Sequence, residues 1–145
     1  MANREIPGEE EWAWHAYDMD AQYAYERLYG KSIVDVVALY SDNQYQASMD
    51  DYLFTPKAAF QYYIFAFAEY LKAPGAKDMS DAASVFLNVL LAREEAEPGT
   101  VAAIYPELAD AIDFVVSHQA WYDADIDIYG DFRDHALRLR TLCSA

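Results

Sequence analysis

Residues 55–75, TPKAAFQYYIFAFAEYLKAPG, decide the fold class of this chain. Thr55 and Pro56 form a helix-start signal, since threonine is a good N-cap and proline suits the first helical position. Apolar side chains then recur at helical spacing, at Phe60, Ile64, Phe67 and Leu71. Pro74 and the glycine after it end the run. Because the flanks of this apolar stripe are also aromatic, the sequence predicts a helix at the centre of an all-α core.

Three further helix patterns follow in the second half of the chain. The first has Asp78 or Ser80 as its predicted N-cap and ends at a Glu-Pro-Gly sequence. The second opens at Pro106, with carboxylates in its first turn where the helix dipole favours them. The last starts after Gly130, with Asp131 as its predicted cap.

The first half allows two interpretations at one place. A helix ends at Gly30, and Ser32 is the predicted cap of the next. Residues 33–40 have helical spacing but are rich in β-branched side chains, so a short strand is the alternative. No second strand pattern is present to pair with it, which favours the helix. We predict one all-α domain of five to six helices over residues 1–145, in which residues 1–11 also allow interpretation as a disordered N-terminal extension.

The charge balance restricts the classes of partner. The chain has 25 acidic and 10 basic side chains, a net charge of −15. A surface of this sign repels a phosphate backbone, which excludes nucleic-acid binding by phosphate contact. The acidic N-terminal residues and the short apolar runs predict a cytoplasmic protein without a membrane segment. The single cysteine, Cys143, cannot form an intramolecular disulfide.

Alternating carboxylates ahead of the last helix form the sharpest local pattern. The residues at positions 1, 3, 5, 9 and 12 of a calcium-binding loop would be Asp123, Asp125, Asp127, Asp131 and Asp134. Position 6, normally glycine, is Ile128, and the last ligand is Asp instead of Glu, so these five are weak metal candidates. The other interpretations are an acidic connection that caps a helix, or free carboxylates that meet a cationic partner.

No catalytic motif accompanies these acids. His15, His118 and His135 form no pair at zinc-binding spacing, and His118 is expected to serve the end of its helix. Glu69, on the central helix, would be of functional interest only if it pointed into the core. We therefore predict no enzyme activity and no cofactor. The alternative is a small helical enzyme or a divalent-metal-binding protein that uses the Asp123–Asp134 carboxylates.

Two segments, one N-terminal and one at residues 121–132, mix aromatic residues with acids. Thirteen tyrosines are more than a core of this size readily accepts, because each buried hydroxyl needs a partner. Tyrosine and tryptophan among carboxylates are typical of a surface that binds a cationic protein. The predicted contact residues are Asp123, Asp125, Asp127, Tyr129, Asp131, Trp12, Trp14, Asp18 and Asp20.

In general character the chain resembles many bacterial toxin-immunity proteins, which are small, acidic, aromatic-rich and without a catalytic signature. The resemblance covers composition and no residue pattern, so it transfers no site. It implies an inhibitor that neutralises a cognate toxin enzyme by covering its active site. The expected partner is a protein that is basic or has a cationic cleft. A homodimer in which the aromatic N-terminus packs on itself is compatible with this function.

Overall fold

The regular elements are helices in every stretch that the structure describes. The computed structural model describes residues 5–12, 19–41 and 52–144, apart from the side chains of Asp20 and Ala21. The α-helices in these ranges are α1 (Met19–Leu28), α2 (Ile33–Ser41), α3 (Lys57–Lys72), α4 (Ser80–Ala96), α5 (Tyr105–Ser117), the single-turn α6 (Ile126–Tyr129) and α7 (Phe132–Ser144). Short 3-10 helices lie at Glu9–Trp12, Pro74–Ala76 and Ala102–Ile104. The all-α prediction is confirmed.

Helix α3 occupies the centre of the core, as the sequence predicts. Eleven of its sixteen residues are buried. Helices α2, α4 and α5 pack against α3, and α7 packs against α4 and α5. The predicted start is one residue early: Pro56 has a ψ angle of 151°, so Pro56 and not Thr55 takes the N-cap position, and the helix begins at Lys57. No helix within the described residues is both long and apolar enough to cross a membrane.

Residues 33–41 are helical, so the strand alternative for residues 33–40 is wrong. Ser32 and Asp35 form a reciprocal capping box at the start of α2. The Asp35 backbone N donates to Ser32 Oγ at 3.1 Å, and the Ser32 backbone N donates to Asp35 Oδ2 at 2.9 Å. The latter bond lowers the pKa of the Asp35 carboxyl. This cap favours the helix over the β-propensity of the residues that follow it.

The predicted start is correct for one of the three later helices. Neither Asp78 nor Ser80 takes the N-cap position of α4, and Asp78 has a positive φ of 67°. Helix α5 begins at Tyr105, one residue before the predicted start at Pro106, which lies in its first turn. Asp131 caps α7, as predicted, because its Oδ1 accepts a hydrogen bond from the backbone N of Arg133 at 2.9 Å.

Buried tyrosines find hydroxyl partners at the ends of helices. The Tyr63 hydroxyl lies 2.6 Å from the carbonyl oxygen of Leu28 and 2.8 Å from that of Lys31. The hydroxyl of Tyr122 donates to the carbonyl oxygen of Leu71 at 2.5 Å. The carbonyls of Leu28 and Leu71 lie in last helical turns and have no partner inside their own helix, and that of Lys31 lies in the loop before α2, so each bond satisfies two polar groups at once. The core therefore accepts these tyrosines, and the expectation that the surplus lies at the surface is wrong for them.

Residues 5–12, before the first helix, pack against the helices. Pro7 and Trp12 are buried, and the Trp12 ring makes an edge-on contact with Tyr25, with 5.6 Å between the ring centroids. Within residues 5–11 only Pro7 is buried, and the interpretation of residues 1–11 as a disordered extension stays a prediction. Burial of a large aromatic side chain fixes this segment at Trp12.

Two buried charged residues near the end of α4 hold neighbouring loops. The guanidinium of Arg93 donates to carbonyl oxygens at distances of 2.7 to 3.3 Å, those of Tyr52, Leu53 and Thr55. The carboxylate of Glu94 accepts backbone N–H groups at 2.8 to 3.0 Å, those of Gly99, Val101 and Ala102. Burial lowers the pKa of Arg93. The fold itself thus supplies partners for both charges.

Candidate protein-binding surface

The acidic connection, residues 118–131, links α5 to α7 and carries four aspartates with no lysine or arginine. The side chain of Gln119 holds it together. Its Nε2 donates to the carbonyl oxygens of Ala124 at 3.0 Å and Gly130 at 2.8 Å, and its Oε1 accepts the backbone N–H of Phe132 at 2.9 Å. One amide group therefore joins the middle and the end of the connection to its beginning.

Alternating residues fasten the connection to the core and leave its aspartates outside. Tyr122 and Ala124 are buried, whereas Asp123 and Asp125 are exposed. Burial raises the pKa of the Tyr122 hydroxyl, which donates to the last turn of α3. Asp123 has a positive φ of 59°, a conformation that Asp tolerates better than most residues. The backbone path thus directs both carboxylates into solvent.

Asp123, Asp125 and Asp127 form no ion pair with any residue that the structure describes. All three are exposed, and no Lys, Arg or His in the described ranges lies within ion-pair distance of their carboxylates. Asp125 caps α6, since its Oδ1 accepts the backbone N–H of Asp127 at 2.8 Å. Three uncompensated negative charges therefore stand close together in sequence on a fixed backbone.

Tyr129 and Asp131, two of the predicted contact residues, are engaged within the fold. The Tyr129 hydroxyl donates to Asp81 Oδ1 at 2.5 Å and lies 3.1 Å from Ser80 Oγ, which ties α6 to the first turn of α4. Asp131 holds Arg133 through both carboxylate oxygens at 2.8 to 3.2 Å, and these bonds lower the pKa of Asp131. Their observed role is to position the acidic connection.

A cleft of about 460 Å³ opens beside the acidic connection. Its apolar lining consists of Val116, Ala120, Ala124 and Ile126. Its charged lining consists of Asp123, Asp125, Asp131 and Arg133. Ile126 is 53% exposed and Ile128 74% exposed. Because helical residues two apart point about 200° apart, Ile126 faces the cleft and Ile128 lies outside it. The cleft thus combines apolar contact area with carboxylates.

The weak metal candidates do not form a ligand set. No group of three or more His, Cys, Asp or Glu within the described residues is placed to hold a metal ion. Two of the five carboxylates already serve as helix caps. The candidates concerned are Asp123, Asp125, Asp127, Asp131 and Asp134. The alternative based on a calcium-like loop therefore has no support from the geometry.

The predicted N-terminal contact surface includes one aromatic residue that the structure describes, and this residue is buried. Trp12 has no exposed surface, so its prediction as a contact residue is wrong. Trp14 and Asp18 lie outside the described residues. The backbone of Asp20 lies in α1, and its side chain is outside the description. The acidic connection is therefore the predicted contact surface whose residues the structure describes in full.

The isolated candidates for chemistry are placed for structural roles. Glu69 is 46% exposed and pairs with Lys72 at 3.0 Å, so it does not point into the core. The His118 ring stacks on the ring of Phe114, with 3.9 Å between the ring centroids. Its Nδ1 lies 2.7 Å from the Phe114 carbonyl oxygen, so His118 serves the end of α5 as predicted. Burial raises the pKa of the Cys143 thiol to about 11, which keeps this side chain protonated at neutral pH.

Comparisons with known proteins provide no relative from which a function could be transferred. No family model matches the chain, no curated protein matches it, and no solved structure matches it. The function must therefore be argued from the charges, exposure and hydrogen bonds of the acidic connection and its cleft.

Proposed function

We propose that this protein binds a basic protein partner through the acidic connection and inhibits it. The partner class that fits is a toxin enzyme with a cationic active site, and the mode is that of an immunity protein that covers the site. The observation that carries this proposal is a set of exposed carboxylates that form no ion pair with the part of the chain that the structure describes, on a backbone fixed by Gln119. They belong to Asp123, Asp125 and Asp127.

The proposal explains why these charges are left uncompensated. Like charges that lie near one another repel and cost stability, and only Asp125 offsets this cost within the fold, as the N-cap of α6. The same chain fully satisfies the carboxylate of Glu94 with three backbone N–H groups. A cationic surface on a partner would supply the missing counter-charges to Asp123, Asp125 and Asp127.

The hydrogen bonds of the connection suit it to binding. A segment that is ordered before it meets its partner loses less conformational entropy on association. Gln119 and Tyr122 provide this order by fixing the connection at its ends and against the core. The net charge of −15 would speed encounter with a basic protein, and Ile126 would add apolar contact beside the carboxylates.

The test compares two triple variants that each remove three negative charges. The connection variant is Asp123→Asn, Asp125→Asn and Asp127→Asn. Asparagine is as good an N-cap as aspartate, so the cap at position 125 is retained. The control variant is Glu10→Gln, Glu26→Gln and Asp110→Asn, all at exposed positions outside the acidic connection. Both variants carry the same net charge.

The partner is captured from a lysate of the source organism at low salt, purified, and mixed with each variant in stopped flow. We expect the connection variant to associate about tenfold more slowly at low salt, with a flatter salt dependence and weaker inhibition of the partner's activity. The control variant should stay within about twofold of the parent protein. Equal slowing of both variants would mean that only net charge matters, and an unchanged connection variant would rule out this surface.

A further inference from the structure

A second groove continues from the cleft beside the acidic connection. This α5–α7 groove has a volume of about 190 Å³ and lies between the two helices that the connection joins. Val116 and Arg133 line both the cleft and the groove, so the two adjoin. The aliphatic lining of the groove consists of Ile112, Val116, Ala136 and Leu137, and Tyr105 adds an aromatic ring. The surface beside the connection is therefore longer than the cleft alone.

The α5–α7 groove has an exposed apolar side chain at its edge. Leu137 is 55% exposed, although α7 buries Phe132 and Leu139. Val116 is half-buried between the cleft and the groove. Together with Ile126, which also lines the cleft, these side chains offer apolar surface whose burial against a partner would be favourable.

The charges along this surface change from one end to the other. The cleft carries the exposed carboxylates of Asp123 and Asp125. The groove carries Arg140 together with Asp113. Arg133 stands where the two meet, and its charge is matched by Asp131. One end is therefore negative, and the other has a cation available next to an acid.

We infer that the cleft and the α5–α7 groove together seat one amphipathic segment of the basic partner. The charge pattern places the lysines or arginines of that segment over Asp123 and Asp125. Its apolar side chains lie on Val116 and Leu137, and an acidic side chain faces Arg140. This inference rests on the proposed function and adds to it the chemistry and the direction of the bound segment.

The probe is a synthetic amphipathic peptide with lysines clustered at one end, leucines at helical spacing and one glutamate at the other end. Its binding to the full chain is measured by fluorescence anisotropy at several salt concentrations. Leu137→Ser tests the groove, and Val34→Ser, at a 77% exposed position on α2, is the matched control. Both positions are exposed, so neither change is expected to disturb folding.

We expect Leu137→Ser to weaken peptide binding about fivefold without changing its salt dependence, because the lost contact is apolar. Val34→Ser should bind as the parent protein does. Amide resonances of Val116 and Leu137 should shift on titration. The connection variant, by contrast, should lose affinity and salt dependence together.

Three results would overturn the inference. Binding that depends on the connection carboxylates but not on Leu137 would leave the proposed function standing and remove the groove from it. Binding that depends on neither would count against both proposals. A parent protein that sediments as a dimer, and becomes a monomer in Leu137→Ser, would show that a second copy of this chain occupies the groove.

Discussion

Two segments of the chain mix aromatic residues with acids, one N-terminal and the other in the acidic connection. Their compositions are similar, but the fold uses them differently. In the N-terminal segment the aromatic ring of Trp12 enters the core, and Glu9 accepts a hydrogen bond from the Tyr25 hydroxyl at 3.0 Å. In the acidic connection Tyr122 enters the core, while Asp123, Asp125 and Asp127 face solvent and form no ion pair with the described residues. Composition alone therefore does not identify a binding surface. The hydrogen-bond and ion-pair partners of each charged group must also be known.

The N-terminal segment also pairs its side chains locally. Tyr25 stacks on Tyr29 with 4.5 Å between ring centroids. Arg27 donates to the Tyr23 hydroxyl at 2.9 Å and lies over the same ring. Aromatic and charged groups that satisfy one another have less to offer a partner. In the acidic connection the carboxylates of Asp123, Asp125 and Asp127 form no ion pair within the described residues, and those of Asp123 and Asp125 also line a partly apolar cleft, so the functional proposal rests there.

The largest expected effect tests the structural side of this comparison. Trp12→Ala should lower the free energy of unfolding by about 3 to 5 kcal/mol, because the lost side chain is fully buried against Tyr25 and Tyr63. Tyr23→Ala, at a 47% exposed position, should cost about 0.5 kcal/mol. Urea unfolding followed by circular dichroism measures both. A small loss for Trp12→Ala would return this residue to the list of surface contacts.

The central helix was predictable because its signal is local and repeated. The spacing of Phe60, Ile64, Phe67 and Leu71 predicts one helix face, and all four are buried. Start and stop residues lie within a few positions of the helix they limit. The sequence does not show which residue of a Thr-Pro pair is the N-cap, because that depends on one backbone angle.

The hydrogen-bond partners of the site were not predictable because they are distant in sequence. Gln119 bonds groups 5, 11 and 13 residues away, and Tyr122 bonds Leu71, 51 residues away. Polarity could have marked Gln119 as the amide side chain nearest the aspartates, but no spacing rule links it to them. The outward direction of Asp123 and Asp125 depends on that same irregular backbone.

A medium effect tests the order of the acidic connection. Gln119→Leu should lower the free energy of unfolding by about 2 kcal/mol, since it leaves three backbone groups without their partner. It should also speed hydrogen exchange at the amide of Phe132. Gln61→Leu, which removes a single bond to the Thr100 carbonyl, should cost about 1 kcal/mol.

Equal losses in the two glutamine variants would show that contacts other than those of Gln119, such as burial of Tyr122 and the Tyr129 bond to Asp81, hold the connection in place. In that case Gln119→Leu should also leave the association rate with the partner unchanged. A slower rate together with faster amide exchange would instead link the order of the connection to binding, as the proposed function requires.

The smallest expected effect concerns the pH dependence of the Asp131 pair with Arg133. The pair lowers the pKa of Asp131 below 3.8, so its stabilising contribution is fully present above that pH and is lost as the pH falls through the folded-state pKa. Asp131→Asn keeps the helix cap but removes the titration. The parent protein should therefore lose slightly more stability than the variant in this acidic range, as measured by urea unfolding at a series of pH values.

Asp134→Asn is the control for this comparison, because Asp134 lies in the same first turn of α7 and is exposed. If Asp134→Asn flattens the acidic loss as much as Asp131→Asn does, the effect is general to carboxylates near the start of α7 and is not specific to the hydrogen-bonded pair of Asp131 with Arg133. If Asp131→Asn alone flattens it, Asp131 is confirmed as a positioning residue of the connection. Asp131 would then be the carboxylate that holds the connection in place. The carboxylates that the connection offers to a partner would be those of Asp123, Asp125 and Asp127.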